Sequence, residues 1–182
     1  MKKTLLAAMF MVFFAVGAQA QLSYDAAVSF DQPTGDFSDA FKPGFGISGD
    51  LFYALDAVPG LAVGGRLAWN RFGADDEVLG VDGGNMSIIE ILPSARYSFT
   101  PAGSQFGFFG QAGLGFYMWN TTIETFFGDI EDDGSDFGFY FGGGVTGEFT
   151  DTMSFVVMPL YHIINTEDES TNYFTLNLGV LY

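Results

Sequence analysis

The last ten residues, Tyr173-Phe174-Thr175-Leu176-Asn177-Leu178-Gly179-Val180-Leu181-Tyr182, decide the fold. They alternate with a period of two between an apolar face and a small or polar face, with Leu181 as the exception, which is typical of a β-strand. So apolar a strand would promote aggregation at the edge of a soluble sheet. The pattern favours a strand that closes a barrel in lipid, because closure leaves no unpaired strand edge in hydrocarbon.

Seven further segments alternate in the same way, and the connections between the eight alternate in length. We predict strands at 22–30, 44–55, 61–72, 87–99, 106–119, 137–149, 153–164 and 173–182. Long polar or acidic connections fall at 31–43, 73–86, 120–136 and 165–172, and short ones at 56–60, 100–105 and 150–152. The predicted fold is therefore all-β, an eight-stranded antiparallel up-and-down transmembrane β-barrel of porin-like type. Pro93 and Pro159 fall inside predicted strands, which predicts a bulge or a strand end at each.

The composition of the two faces indicates which one points inward. A soluble barrel would also alternate, with its apolar face inside. Here the other face is rich in glycine and has no lysine, which is unusual for a water-exposed surface and suits a narrow interior. Aromatic residues collect near segment ends, among them Phe99, Phe149 and Tyr182, as they do in interfacial girdles. We therefore expect the apolar face to contact lipid.

The start of the chain has the features of a signal peptide. Met1-Lys2-Lys3 is basic, residues 5–16 are apolar, and Ala18-Gln19-Ala20 is a small-x-small cleavage site. The apolar run is too short to cross a bilayer, which takes about 20 residues. We expect residues 1–20 to be removed and residues 21–182 to form one barrel domain. The chain has no cysteine, so no disulfide or lipidation site is expected.

The charge balance excludes nucleic acid as a partner. Of six basic residues, Lys2 and Lys3 belong to the predicted signal, which leaves four against 22 acids. A surface this acidic repels a phosphate backbone.

A sparse set of charged residues falls on the predicted inner face. These candidates for a lumen charge network are Asp25, Asp50, Arg66, Glu90, Arg96 and Glu148, with Gln111, His162 and Asn177 beside them. Pairing of the second and third strands places Asp50 opposite Arg66, with Glu90 flanking the same arginine. We expect Arg96 to reach Glu148 or Asp25, because an unpaired buried arginine is costly. Two interpretations remain open: a plug of ion pairs that fills the barrel, or an ion path gated by those pairs.

His162 is the one histidine of the chain, and it bears on catalysis. A hydrolase needs a nucleophile within hydrogen-bond reach of its base, and the sequence places no serine or threonine there in an obvious way. We expect a hydrogen-bonded lumen histidine, no catalytic residue and no cofactor.

The predicted loops are acidic and carry aromatic residues. Asp129, Glu131 and Asp133 are weak candidates for a metal site, but residue 140 is tyrosine where an EF-hand loop starting at Asp129 would need glutamate. Further acids occur at 75–77 and 167–169. Solvated carboxylates and loose divalent-cation binding are both compatible with these clusters. Phe37, Phe41 and the pair at 126–127 are candidate exposed contacts for a partner surface.

Three stretches resemble the small OmpA/OmpX-type outer-membrane β-barrel family, the outer membrane protein beta-barrel domain. They are 92–99 (LPSARYSF), 110–117 (GQAGLGFY) and 141–149 (FGGGVTGEF). The resemblance covers residues 21–182 and implies a Gram-negative outer membrane. Members of the family anchor the envelope, adhere to host surfaces or, in a few cases, modify lipids. Because no peptidoglycan-binding domain follows the last strand, the resemblance does not imply an anchoring role here.

The sequence therefore favours a non-enzymatic protein with a structural or adhesion-like role carried by four acidic extracellular loops. The alternative is a small ion or solute channel whose lumen is gated by Arg–carboxylate pairs, and a lipid-modifying enzyme ranks third. Expected partners are outer-membrane lipid, lipopolysaccharide and an extracellular ligand or surface, with the barrel itself a monomer.

Overall fold

Eight strands follow one another along the chain, with one short helix between the first two. The computed structural model describes residues 22–75, 83–100, 104–125, 128–150, 152–166 and 170–182. The predicted signal peptide, residues 1–20, lies outside these ranges. The elements are β1 Leu22–Thr34, α1 Phe37–Ala40, β2 Gly44–Ala54, β3 Leu61–Gly73, β4 Gly83–Phe99, β5 Phe106–Thr125, β6 Gly128–Thr150, β7 Met153–Asn165 and β8 Ser170–Leu181.

The sheet closes on itself. Each strand pairs antiparallel with the next, and β8 pairs with β1, where Val28 lies opposite Leu178. At this seam the backbones of Tyr24 and Tyr182 exchange two hydrogen bonds of 3.0 and 2.8 Å. The predicted eight-stranded antiparallel barrel is confirmed. We call the end that carries Tyr182 and the 55–60 turn the turn end, and the end that carries α1 the loop end.

The outer wall is apolar, as the alternation predicts. Val28 and Leu67 keep 61% and 60% of their surface exposed, which suits a wall that faces hydrocarbon rather than water. The inner face is less uniform than the glycine-rich pattern predicts, because large apolar side chains lie among its glycines and polar residues. The buried set includes Phe52, Phe72, Ile88, Leu92, Phe109, Met158 and Leu160. A ring of eight strands leaves an interior just wide enough for side chains to fill, and these side chains occupy it.

The prediction of a loop at 120–136, the longest of the predicted loops, is wrong. β5 continues to Thr125 and β6 begins at Gly128, so this stretch belongs to a long hairpin. Thr125 lies opposite Gly128, whereas β6 pairs with β7 only from Phe137 onward. Residues 128–136 therefore have β5 as their one described strand neighbour. At about 3.3 Å per residue, they project roughly 30 Å past the end of β7.

The prolines within strands interrupt the ladders without a bulge. Pairing between β4 and β5 is missing at Pro93, and pairing between β6 and β7 is missing at Pro159, yet the register is unchanged on either side. The prediction of a bulge or a strand end at each proline is therefore wrong, and the ladder is interrupted there because proline has no N–H to donate. The register shift in β6–β7 lies instead between Glu148 and Thr150, beside the turn.

An aromatic cluster lies under α1 at the loop end. The Phe37 ring lies 5.0 Å from the Phe41 ring and 5.0 Å from the Phe72 ring, and Phe72 lies 5.4 Å from Tyr173. Phe37 is only 7% exposed, so its predicted role as an exposed loop contact is wrong, because its ring packs inward. Phe41 is partly buried against the same cluster, and residues 126–127 lie outside the described ranges.

Among the described residues no helix has both the length and the apolar character needed to cross a membrane.

Candidate functional site: a polar network in the barrel lumen

Arg66 is at the centre of the lumen and is 2% exposed. The β2–β3 register places it opposite Asp50, and its Nη1 donates to Asp50 Oδ2 at 2.8 Å. Its Nε donates to Glu90 Oε2 at 3.3 Å, and its Nη2 donates to Asn177 Oδ1 at 2.9 Å. The guanidinium thus has a partner on each side of its planar fork, which satisfies a buried cation that would otherwise be costly.

Arg96 forms a second group closer to the turn end. Its Nη2 donates to Asp25 Oδ2 at 2.6 Å, and its Nε donates to Gln111 Oε1 at 2.8 Å. The guanidinium lies 4.3 Å from the ring centre of Phe52 and 4.5 Å from that of Phe109. Stacking on two rings adds a favourable cation–π interaction and restricts the guanidinium to one plane.

Gln111 joins the two arginine groups. Its Oε1 accepts from Arg96, and its Nε2 donates to Asp50 Oδ1 at 2.9 Å and to Tyr140 Oη at 2.7 Å. Tyr140 in turn donates to Ser94 Oγ at 2.7 Å. The chain of bonds from Asp25 through Arg96, Gln111 and Asp50 to Arg66 is continuous. We call it the lumen network.

The lumen network continues toward the loop end through Glu90, which is fully buried. Glu90 Oε1 accepts a hydrogen bond from Tyr173 Oη at 2.7 Å and another from Asn70 Nδ2. Together with the Arg66 contact, these donors satisfy both oxygens of a carboxylate that has no access to water. Five of the six predicted lumen charges, Asp25, Asp50, Arg66, Glu90 and Arg96, belong to this network.

Glu148, the sixth, is not part of the lumen network. Its side chain is exposed at the turn end, in an open depression of about 450 Å³ lined also by Ser23, Thr150 and Ser154. Of the two partners expected for Arg96, Asp25 is the one that it contacts, and Glu148 is not. Glu148 shares the inward parity of β6, but it lies where the barrel opens to solvent.

Inward-facing glycines make room for the rings that fill the lumen. A Cβ on Gly113 would lie 2.5 Å from the Tyr140 ring and 2.5 Å from Ser94 Oγ. A Cβ on Gly144 would lie 2.4 Å from the Phe109 ring. These glycines therefore do not line an open passage, because aromatic side chains lie directly over them.

His162 is fully buried, and both of its ring nitrogens and its ring plane have contacts. Nδ1 lies 3.2 Å from Tyr117 Oη and 3.6 Å from Glu90 Oε1, and Nε2 lies 3.4 Å from Thr175 Oγ1. The ring stacks on Tyr173, with the centroids 4.5 Å apart and the planes 4° from parallel.

The sequence places no threonine beside His162 in an obvious way, yet Thr175, two residues along β8 from the His162 partner Tyr173, lies next to the ring. Thr175, His162 and Glu90 are in the order of a hydroxyl, a base and a carboxylate, as in a hydrolytic triad. All three are 0% exposed, and Thr175 Oγ1 also accepts a hydrogen bond from Asn177 Nδ2 at 2.8 Å. A substrate carbonyl would need to reach Thr175 through the packed lumen.

The acidic stretch of β6 lies outside the barrel. Asp129, Glu131 and Asp133 alternate along the projecting part of the strand and are exposed. Within the described ranges, no group of three or more His, Cys, Asp or Glu side chains is arranged to hold a metal ion. Near the base of this hairpin, Trp119 Nε1 donates to Asp136 Oδ2 at 2.7 Å.

Sequence reasoning missed the uncharged members of the site, chiefly Asn70, Tyr140, Tyr173 and Thr175. Each has the inward parity of its strand, and that parity was the signal that could have identified them. The sequence predicts roles for aromatic residues at segment ends, on the apolar faces and in the loops, and none for Tyr140 or Tyr173.

Comparisons with known proteins agree with this architecture. The profile of the family described as "Outer membrane protein beta-barrel domain" matches residues 4–182. No curated protein sequence matches the chain. Solved structures of several outer-membrane proteins share the fold at low identity. Neisserial surface protein A (NspA) has a TM-score of 0.65 and 16% identity, and the match covers 90% of this chain and 98% of that one.

Ail, the attachment invasion locus protein of Yersinia pestis, was solved in complex with the heparin analogue sucrose octasulfate. It has a TM-score of 0.58 and 15% identity, with 91% of this chain and 100% of that chain covered. A major outer membrane protein of Thermus thermophilus has a TM-score of 0.53 and 10% identity, with 89% and 99% covered. At these identities the solved structures establish the fold, and the profile match establishes the family. This chain belongs to the outer membrane protein β-barrel family.

Proposed function

We propose that this barrel is a non-enzymatic surface-interaction protein and that its contact element is the projecting β5–β6 hairpin. The observation that carries the proposal is an unpaired strand edge. Over 129–136, β6 pairs with β5 on one side and has no described strand neighbour on the other. Backbone N–H and C=O groups along such an edge can pair with an extended segment of another molecule.

The charge of this edge determines the kind of partner. Five acids, Asp129, Glu131, Asp132, Asp133 and Asp136, lie within nine residues of β6. A sulfated polyanion of the kind present in the Ail complex would be repelled by this strand. We therefore propose a cationic partner that is rich in lysine or arginine and extended where it meets β6.

The packed lumen supports a plug rather than a channel. Tyr117, Tyr140 and Tyr173 lie fully or almost fully buried across the interior, and the lumen network joins both arginines to carboxylates. The same packing supports a non-enzymatic role, because it separates Thr175 and His162 from both ends of the barrel. Outer-membrane lipid, including lipopolysaccharide, then contacts the outer wall. We propose a monomer made with the 1–20 signal.

The experiment uses the barrel in lipid nanodiscs and an immobilised peptide of alternating lysine and threonine. Asp129→Asn with Asp133→Asn removes two charges from the hairpin, and Asp36→Asn with Asp39→Asn removes two exposed charges from α1 and its flank. Exposed ion pairs contribute about 0.2–1 kcal/mol each, so the hairpin variant should bind about 2- to 30-fold more weakly. The α1 variant should bind like the parent.

A second variant tests the edge itself. Replacing 120–133 by Asn-Gly joins Trp119 to Gly134, which already lie opposite each other, through a two-residue turn. This variant should lose binding to the peptide while keeping the barrel. Equal binding by the parent and the shortened barrel would refute the proposed role of the hairpin. Equal weakening by both charge variants would mean that binding follows net charge rather than this edge.

A further inference from the structure

Asp31 is a buried carboxylate without a described salt-bridge partner. It lies on the inner face of β1 near the loop end and is 0% exposed. Neither Oδ1 nor Oδ2 accepts a hydrogen bond of good geometry from a described residue, and the Ser29 hydroxyl on the same face is near enough to interact with the carboxyl. Both of the buried arginines already bind other carboxylates, Arg66 with Asp50 and Glu90, and Arg96 with Asp25. A buried carboxyl is expected to be paired, protonated or bound to a metal, so Asp31 is a candidate ligand for a cation that the protein itself does not supply.

A second unpartnered oxygen lies two strands away. Asn70 is 1% exposed, and its Oδ1 has no hydrogen-bond partner among the described residues. The orientation of this amide is fixed, because Asn70 Nδ2 donates a hydrogen bond to the Glu90 carboxylate. That carboxylate also accepts hydrogen bonds from Tyr173 and Arg66, and only the amide nitrogen of Asn70 can donate to it. The Asn70 carbonyl oxygen is thereby turned away from Glu90.

Register brings this oxygen toward β1. Ser29, Gly46 and Asn70 lie side by side across β1, β2 and β3. The position of a Cβ on Gly46 would be 2.2 Å from Asn70 Oδ1 and 2.6 Å from Ser29 Oγ, so both oxygens converge over the same glycine. Asp31 follows Ser29 by two residues on the same face, and its β2 neighbour is Gly44. At Gly46 the absence of a β2 side chain leaves room for the two converging oxygens, whereas a Cβ on Gly44 would meet the backbone oxygen of Arg71 on β3.

The charge of the lumen points to a divalent ion. Its buried ionisable residues include four acids, Asp25, Asp31, Asp50 and Glu90, against two arginines. A divalent cation at Asp31 would balance this excess of two negative charges. A carboxylate, an amide carbonyl and a hydroxyl are hard oxygen ligands, which calcium accepts in flexible geometry at about 2.3–2.6 Å. Magnesium demands a nearly ideal octahedron and retains its waters, which a narrow interior does not favour.

We propose that the loop end of the lumen binds one calcium ion through the Asp31 carboxylate, the Asn70 Oδ1 and the Ser29 Oγ. This site is distinct from the acidic hairpin, where any cation would be held loosely in solvent. Because the aromatic cluster around Phe37 lies between the site and the loop end, the ion enters as the barrel folds. It then remains bound when free calcium is removed.

The test is refolding followed by metal analysis. The parent is refolded into detergent micelles with millimolar calcium, with millimolar magnesium or with EGTA. It is then passed through gel filtration into metal-free buffer and analysed by atomic emission. Circular dichroism establishes that the barrel has formed. The expected result is one calcium per barrel from the calcium sample and no retained metal from the magnesium sample.

Two variants and one control locate the ion. Asp31→Asn should lose the retained calcium, and Asp133→Asn, which removes one exposed acid from the hairpin, should keep it. Ser29→Ala deletes a single neutral ligand and should weaken calcium retention by about tenfold or more. If Asp31→Asn does not fold, this variant shows whether the calcium is bound at the proposed site. A folded parent without calcium would overturn the proposal, as would retention that neither the Asp31 nor the Ser29 variant lowers. Equal retention of magnesium would overturn the assignment to calcium.

Discussion

Replacing Arg66 by methionine tests whether the lumen network is an interdependent set of charges. The substitution keeps a long side chain but removes the donors to Asp50 and Glu90, which are 2% and 0% exposed. Removing one partner of a buried ion pair costs about 3–5 kcal/mol, because the remaining charge stays buried without compensation. We therefore expect the free energy of unfolding to fall by about 4 kcal/mol. With an m value of about 2 kcal/mol/M, the urea midpoint should move down by about 2 M.

The informative comparison is a triple variant, Arg66→Met with Asp50→Asn and Glu90→Gln. It removes the cation and both anions, so no uncompensated charge remains, and replacements of this kind are often neutral or stabilising. The triple variant should therefore be more stable than the single variant, although it differs from the parent at more positions. Arg71→Met, at an exposed arginine five residues along the same strand, is the matched control and should change stability by less than about 0.5 kcal/mol.

The assay is reversible urea unfolding in lipid vesicles, followed by tryptophan fluorescence. A cost below about 1 kcal/mol for Arg66→Met would mean that the charges are well solvated and do not depend on one another. Their interdependence is also refuted if the triple variant is as unstable as the single variant, because the cost would then come from packing rather than from unpaired charge.

Three further predictions concern packing and conductance. Gly113→Ala should destabilise the barrel by about 1–3 kcal/mol in the same urea assay, because the added methyl overlaps a packed ring, whereas Gly110→Ala, whose Cβ would meet its nearest atom at 3.9 Å, should be nearly neutral. Phe37→Ala should cost about 3–5 kcal/mol, against little change for Asp39→Ala in the same helix, and a loss below about 1 kcal/mol would mean that α1 contributes little to stability. In planar bilayers the inserted parent should show no stable current steps, and steps whose size changes in Arg66→Ala would instead support the gated channel.

The strands inside the membrane could be predicted from the sequence because the two faces of each strand meet different surroundings. The alternation at 61–72 or 153–164 records that difference directly. The same register argument placed Asp50 opposite Arg66 and Glu90 beside it. Residues 120–136 are predicted to be a loop because a hairpin that projects from the barrel into water needs no apolar face and so shows no alternation. Ile123 and Ile130 are too few to produce a period.

The remaining errors have a common physical origin, since they depend on where a side chain lies along the barrel axis. Glu148 and Asp25 have the same inward parity, but one lies at an open rim and the other is buried. Phe37 occurs in a polar stretch with no periodicity, so nothing local indicates that its ring turns back onto Phe72. Thr175 becomes a neighbour of His162 only through the β7–β8 register, which the two segments do not specify separately.

The lumen network bears on how the barrel is assembled in the membrane, because its contacts join strands that are far apart in the chain. Arg66 on β3 binds Asn177 on β8, and Arg96 on β4 binds Asp25 on β1. The first contact cannot form until β8 is in place, and the second requires β4 to lie across the lumen from β1. An open sheet in lipid would therefore carry exposed strand edges and unmatched charges at the same time. Insertion should then be nearly all-or-none, with partly assembled intermediates scarcely populated, and the interior side chains would select the correct closing register.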